Sequence, residues 1–317
     1  MPARIGEAMA WHRQDPDRST TGDEAGRPLT AADRFHDPTQ CSLHHARQDD
    51  NMLHCCPDAN VSQSQEIVIA SIIRTGCAGW SIPGAQSAHF PLEGSHLERY
   101  ATVLDCVEIN SSFYRSHQAK TYTRWHDSVP DTFRFSVKLP KTISHEARLL
   151  DTEALLDRFI GEASHLQHKL GCILVQLPPG LAFNLVTADK FFQAVKARTT
   201  TSLVCEPRHS SWGSLEAKEL LAQHGIAMVQ ADPPAFSALP SEQGQQRPCS
   251  ALLYLRLHGS PIIYRSSYSA QALQAVAQQL LQAAMENRQA WCIFDNTAEG
   301  AAMPNALAMM DALKSNS

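Results

Sequence analysis

The 317-residue chain has 43% apolar and 19% charged residues, a globular balance, and no run of eighteen apolar residues, which excludes a helical membrane span. Its net charge of −5 is localised: residues 1–66 hold 6 Lys and Arg against 11 Asp and Glu, and the remainder holds 21 of each. The main body therefore lacks the global basic field that binds nucleic acid by counterion release.

Residues 1–66 contain six residues from the set Val, Ile, Leu and Phe, too few to offset the entropy of ordering the segment, so a disordered acidic extension is expected. It shows no basic flank followed by an apolar stretch, so a secretory signal is not expected and the cytoplasm is the expected compartment. Met52 is an alternative start. His44, His45, His54, Cys55 and Cys56 are metal-binding residue types, but their spacing follows no ligand pattern. The nine cysteines form no CxxC pair and read as reduced thiols.

The character changes at Ile67, and residues 67–317 read as one folded domain. Apolar, β-branched runs occur at 72–76, 106–109, 133–138, 173–177, 203–206, 227–231, 252–257 and 292–294. Helical patterns separate them. Ser95-His96-Leu97-Glu98 has the form of a capping box. Leu155, Leu156, Phe159, Ile160, Ala163 and Leu166 recur at helical spacing, as do Leu273, Val276, Ala277, Leu280, Leu281 and Ala284. Residues 232–248 are polar and carry Pro and Gly, the pattern of a long loop. Eight strands alternating with helices predict an α/β fold, a (β/α)8 TIM-like barrel.

In such a barrel the C-terminal strand ends share one mouth. Here every predicted strand ends in chemistry: Trp80 after the Gly turn, Glu108 with Asn110, Lys138, Gln176, Glu206 with Arg208, Asp232, Arg256 with His258, and Asp295 with Asn296. Charges that interrupt buried apolar runs are costly unless paired, so Glu108, Lys138, Glu206 and Arg256 are expected to pair across the mouth. Trp80, Phe113, Tyr114, Tyr264 and Tyr268 are loop aromatics suited either to stacking on a ligand or to packing on the rim. Arg265, followed by a helix with Ser269 as its cap, lies after the seventh strand, where barrels often bind phosphate; a plain hydroxyl-rich turn reads equally well. Cys77, Cys106, Cys172, Cys205 and Cys292 read as buried small residues.

The residues at these strand ends form longer motifs. They are Thr75-Gly76-Cys77-Ala78-Gly79-Trp80-Ser81, Val107-Glu108-Ile109-Asn110-Ser111-Ser112-Phe113-Tyr114-Arg115, Phe133-Arg134-Phe135-Ser136-Val137-Lys138, and Leu174-Val175-Gln176-Leu177-Pro178-Pro179. Further along come Glu206-Pro207-Arg208-His209-Ser210-Ser211-Trp212, Tyr254-Leu255-Arg256-Leu257-His258-Gly259 and Phe294-Asp295-Asn296-Thr297-Ala298. From about Arg74 to Leu313 the chain resembles the YecE-like family, also called domain of unknown function 72. The resemblance implies a TIM barrel and assigns no reaction. The chain departs from the family pattern at Ile82-Pro83-Gly84-Ala85-Gln86 and in its acidic extension.

Three functions compete. The first is an enzyme acting on a small anionic or polyhydroxylated ligand, phosphate-bearing ligands included. Glu108 or Glu206 would be its general base and Lys138 or His258 its acid or electrostatic stabiliser, with Asp295 in the same centre. The second is a divalent-metal phosphodiesterase or isomerase ligated by Glu108, Glu206, Asp232, His258 and Asp295; it lacks paired ligands on one strand and faces repulsion from Lys138 and Arg256. The third is a non-catalytic nucleotide or nucleic-acid binding protein using Arg115, Lys138, Arg208, Arg256 and Arg265 with Trp80 and Tyr114, and the balanced charge of the body disfavours it for duplexes. No organic cofactor is implied, no metal is assigned, and no membrane partner is expected.

Overall fold

The computed structural model describes residues 72–236 and 250–315. The acidic extension with its His and Cys residues, and most of the 232–248 loop, lie outside the described residues.

Nine strands form one parallel sheet: β1 (Ile73–Ala78), β2 (Cys106–Ile109), β3 (Arg134–Lys138), β4 (Leu170–Gln176), β5 (Ser202–Glu206), β6 (Ala227–Met228), β7 (Gln230–Asp232), β8 (Leu252–Leu257) and β9 (Gln289–Phe294). Their order is β6-β5-β4-β3-β2-β1-β9-β8-β7. The two ends of this order, β6 and β7, are separated in sequence by Val229 alone, so the sheet curls into a nearly closed TIM-like barrel. The sixth predicted strand is thus present in two pieces. Ala227–Met228 pairs with β5 and Gln230–Asp232 with β8, and the break lets one short stretch change partner where the barrel closes. Other strands outrun their apolar signals: β4 begins at Leu170 and β9 at Gln289, because backbone pairing, not side-chain hydropathy, sets where a strand starts.

Among the described residues seven α-helices pack outside: α1 (His96–Ala101), α2 (Ala119–Asp127), α3 (Glu153–Ala163), α4 (Leu185–Lys196), α5 (Leu215–Gln223), α6 (Ala270–Met285) and α7 (Ala302–Lys314). The expected capping box starts α1: Glu98 N donates to Ser95 Oγ and Ser95 N donates to Glu98 Oε2. Ser269 caps α6 by accepting from Ala272 N. No helix among the described residues is long and apolar enough to cross a membrane.

Strand alternation divides the buried residues into two layers. Val107, Val137, Ile173, Cys205, Leu255 and Phe294 face outward and join the helices in the larger core. Cys106, Leu174, Val204, Tyr254, Trp291 and Ile293 fill the barrel interior. The five described cysteines are free and buried. The indole of Trp291 occupies the space where a Cβ on Gly171 would stand, 2.6 Å from the ring, so only glycine fits opposite it.

The interior parity carries the site. Glu108, Lys138, Glu206, Arg256 and Asp295 each lie two residues beyond an inward-facing residue, at Cys106, Ser136, Val204, Tyr254 and Ile293. The polar end of each strand therefore points into the mouth rather than towards the helices.

Candidate active site

Arg256, wholly buried, is the hub of the mouth. Its Nε donates to Glu108 Oε2 (2.9 Å) and its Nη2 to Glu108 Oε1 (2.6 Å), a fork-to-fork pair. Nη1 donates to Glu206 Oε2 at 2.8 Å and Nη2 also reaches Asp295 Oδ2 at 3.0 Å. One guanidinium thus draws together carboxylates from β2, β5 and the end of β9. Tyr254, two residues before Arg256 on β8, donates its one hydroxyl hydrogen to Glu108 Oε2, lies 2.8 Å from the Ser136 hydroxyl, and supports the pair from below.

His258 continues the inward row of β8. Its Nδ1 lies 3.1 Å from Asp295 Oδ2 and its Nε2 lies 2.9 Å from Glu206 Oε1. The carboxylate at each nitrogen favours the doubly protonated imidazolium, against the Arg208 Nη2 donor that lies 3.1 Å from Nε2. Burial works against that charge, but the hydrogen bonds to Asp295 and Glu206 outweigh it and raise the His258 pKa. Burial would likewise push the Glu206 carboxyl up, yet Arg256, His258 and Arg208 hold it well below the usual carboxylate range. Asp295 is lowered in the same way, by Arg256 and His258 against burial.

Arg208 and Gln176 close the outer side. Arg208 Nη2 donates to Glu206 Oε1 at 2.6 Å and Gln176 Nε2 donates to Glu206 Oε2 at 3.1 Å. Arg208 Nε is buried without a partner, so this guanidinium retains donor capacity. Gly259 has φ +95° and turns the chain just after His258; a Cβ there would stand 2.8 Å from the Ser266 carbonyl oxygen.

Lys138 ends β3 in the same mouth and is 6% exposed. Its Nζ lies over the Phe113 ring, 4.3 Å from the centroid. Among the described residues no carboxylate comes within ion-pair distance of it. Burial and then the charge of Arg256 lower its pKa to about 8, against the opposing pull of Glu108, Asp295 and Glu206. His145, in the helical turn Thr142–Glu146, packs edge-on against the same Phe113 ring. Burial and Lys138 lower its pKa to about 4, so it is neutral at pH 7.

Of the remaining sequence-predicted residues, some brace this centre and others make no contact with it. The Asp232 carbonyl accepts from His258 N and from Tyr268 OH, and Tyr268 OH accepts from Gly259 N. Both therefore brace the His258 turn. Asn296 Nδ2 donates to Ser266 O and Asn305 Oδ1, while Asn296 Oδ1 and Asn110 Oδ1 are buried without partners. Trp80 packs edge-on against Trp125 at 5.1 Å, Tyr114 is 70% exposed, and Arg265 pairs with Glu299 on the surface. Burial raises the Cys77 thiol to about 12, which leaves it inert as a thiolate.

Tyr254 and Ser136 join the site without having been singled out as candidates, and so does His145, which the family resemblance places among the loop contacts just after the third strand. The first two were accessible to parity: Tyr254, Arg256 and His258 alternate along β8, and Ser136 precedes Lys138 by two. His145 comes from a loop turn, which no strand periodicity indicates.

Among the described residues no group of three or more His, Cys, Asp and Glu side chains is arranged to hold a metal ion. Glu108, Glu206 and Asp295 converge on the Arg256 guanidinium, which occupies the position a divalent ion would need.

The family model described as "Protein of unknown function DUF72" matches residues 74–317. The chain is 38% identical over 82 residues to the UPF0759 protein YecE of Escherichia coli K12, a match covering 26% of this chain and 30% of that protein. It is similar in structure to a DUF72 family protein of Thermotoga maritima, with a TM-score of 0.64 and 22% identity over 77% of this chain and 99% of the other. A DUF72 family protein of Enterococcus faecalis gives a TM-score of 0.63 and 21% identity over 76% and 95%.

Proposed function

The chain belongs to the DUF72 family of proteins of unknown function, and from that premise we propose that it is an enzyme acting by acid–base chemistry on a small anionic or polyhydroxylated ligand, phosphate-bearing ligands included, bound in the barrel mouth. The observation that carries this reading is the His258 imidazole held between Glu206 and Asp295 in a buried charge network. Buried ion pairs rarely stabilise a fold more than apolar residues of the same volume would, so a barrel closed by seven ionisable side chains points to chemistry.

In this reading His258 is the proton donor and Glu206 or Glu108 the acceptor of the same cycle, with Arg256 holding the carboxylates in position. Glu206 reaches its acceptor role when a ligand displaces one of its present donors, Gln176 or Arg208. Charge favours an anion. Glu108, Glu206 and Asp295 bring three negative charges, and Arg208, Arg256, Lys138 and protonated His258 bring four positive ones. The free donor of Arg208 and the unpaired Lys138 ammonium suit a phosphate or carboxylate group. A reducing, cytoplasmic setting agrees with the five free thiols.

The test is a thermal-shift titration of the purified protein against phosphorylated metabolites, carboxylates and sugars, repeated with Glu206→Gln. At least one class should raise the melting temperature of the wild type and do so less in the variant. Flat responses to every class would overturn the proposal.

A further inference from the structure

We propose that Lys138 is an imine-forming residue, condensing through Nζ with the aldehyde or ketone carbonyl of a small anionic ligand. The inference rests on the reading of the mouth as an enzymatic, anion-binding site and names the class of ligand that site takes.

The first observation is what Lys138 does not do. Glu108, Glu206 and Asp295 line the same mouth, but their hydrogen bonds come from Arg256, His258, Arg208, Gln176 and Tyr254. A lysine retained as a counter-ion would lie on one of these carboxylates; among the described residues Lys138 pairs with none. Lys138 is buried and its amine lies over the Phe113 ring. An amine without an acceptor, beside the cationic Arg256, is the arrangement in which lysine becomes a nucleophile at neutral pH.

The second observation is the setting. Strand register pairs Ile109 with Val137, so Asn110 stands beside Lys138 on the neighbouring strand, with a buried, unpartnered Oδ1. Arg208 offers a free donor for the ligand's anionic group. The aromatic face that now holds the ammonium can hold the cationic product equally well.

The step balances without an external oxidant or reductant. The neutral amine's lone pair attacks the carbonyl carbon, and the carbonyl π pair moves to oxygen. The resulting carbinolamine nitrogen loses one proton, and the oxygen gains two and leaves as water. Counted from the ammonium, one carbonyl is consumed and one protonated imine and one water are formed, with no net proton exchange. The side chain's positive charge is kept throughout. With a pKa of about 8, roughly a tenth of the amine is neutral at pH 7, on the order of 300-fold more than for an unperturbed lysine. Lower basicity removes part of this advantage in nucleophilicity.

The experiment uses glyoxylate, an aldehyde carrying a carboxylate, with cyanoborohydride to trap imines as carboxymethyl-lysine in the full-length protein. Peptide mass mapping follows the rate at each lysine, and formaldehyde serves as the uncharged control. Lys138 should react about ten-fold or more faster than surface lysines at pH 7, and its preference for glyoxylate over formaldehyde should exceed theirs. Lys138→Met should lose only that label. A Lys138 rate at or below that of surface lysines overturns the inference. Inorganic phosphate binding, measured in parallel by thermal shift, separates the two claims: slow Lys138 with phosphate still bound refutes the imine alone, and slow Lys138 with no phosphate binding counts against the anion site as well.

Discussion

Arg256 and Glu108 face each other through two hydrogen bonds, at 2.9 and 2.6 Å, with both side chains fully buried at the centre of the barrel mouth. The pair is not isolated, since the same guanidinium also holds Glu206 and Asp295. Arg256→Leu would leave three buried carboxylates without their shared cation. Breaking such a pair on one side costs about 3–5 kcal/mol, and urea unfolding at pH 7 should show a loss of that order. A loss under about 1 kcal/mol would mean that the carboxylates are hydrated rather than held by Arg256.

Tyr254→Phe removes one hydroxyl and keeps the ring that stacks near Trp291. Glu108 Oε2 retains Arg256 Nε as a donor, so no charge is left unpaired. The expected cost is about 1 kcal/mol, read from the same unfolding curves, several-fold less than for Arg256→Leu.

The alternation of apolar runs and helices made the barrel legible, and the inward parity of its strands made Glu108, Lys138, Glu206, Arg256 and Asp295 legible as a group. What sequence could not supply was the division of labour among them. The expectation that Lys138 and Arg256 would both pair across the mouth holds for Arg256 only: Arg256, Arg208 and His258 share the carboxylates, and the Lys138 ammonium lies over the Phe113 ring instead. The split of the 227–231 strand was hidden for a similar reason: closure depends on which neighbours a strand meets, and that is decided by the whole barrel. Tyr268 and Asn296 through their side chains and Asp232 through its backbone carbonyl support the loop that carries His258, a role whose sequence signal is the same as that of a ligand contact.

The pH dependence of stability follows from the signs. His258 has a raised pKa in the fold, so its contribution is complete below about pH 6.5, the unfolded value, and is lost as pH rises through the folded one. Glu206 and Asp295 have lowered values, so their contributions are complete above about pH 4.5 and are lost as pH falls through the depressed values. Stability should therefore peak at mildly acidic pH, and the decline on the alkaline side should disappear in His258→Gln. Melting temperatures from pH 4 to 8 would check this, and an alkaline decline unchanged in the variant would refute the assignment to His258.

Arg208 contacts Glu206 through Nη2, and its side chain is 22% exposed, at the outer edge of the network. Arg208→Gln should therefore disturb the fold little while removing the cation best placed for a ligand's anionic group. Loss of one charge-assisted contact is worth about 1.5–3 kcal/mol, so the Kd for inorganic phosphate should rise about ten-fold or more by calorimetry at pH 7. An unchanged Kd would move the anion site away from Glu206 and Arg208.

Lys138 gives the opposite sign of stability effect. Its pKa is about 8 in the fold against 10.5 for the free side chain, so the unfolded chain binds the proton more tightly. Keeping the ammonium in the barrel then costs free energy in full below pH 8, and stability is regained as pH climbs from 8 towards 10.5. Lys138→Met fills similar volume without the charge, so the variant should be more stable than the wild type at pH 7, by about 1–3 kcal/mol. The difference should shrink to near zero by about pH 10.5. Paired urea titrations at pH 7 and 10 measure both halves of the claim. A variant less stable at pH 7 would show that the lysine is held by interactions stronger than its contact with Phe113. A variant that is more stable, beside a wild type whose Lys138 traps glyoxylate faster than its surface lysines, would identify Lys138 as a residue whose charge the fold accommodates at a cost, as expected of a group kept for its reactivity rather than for the packing of the barrel.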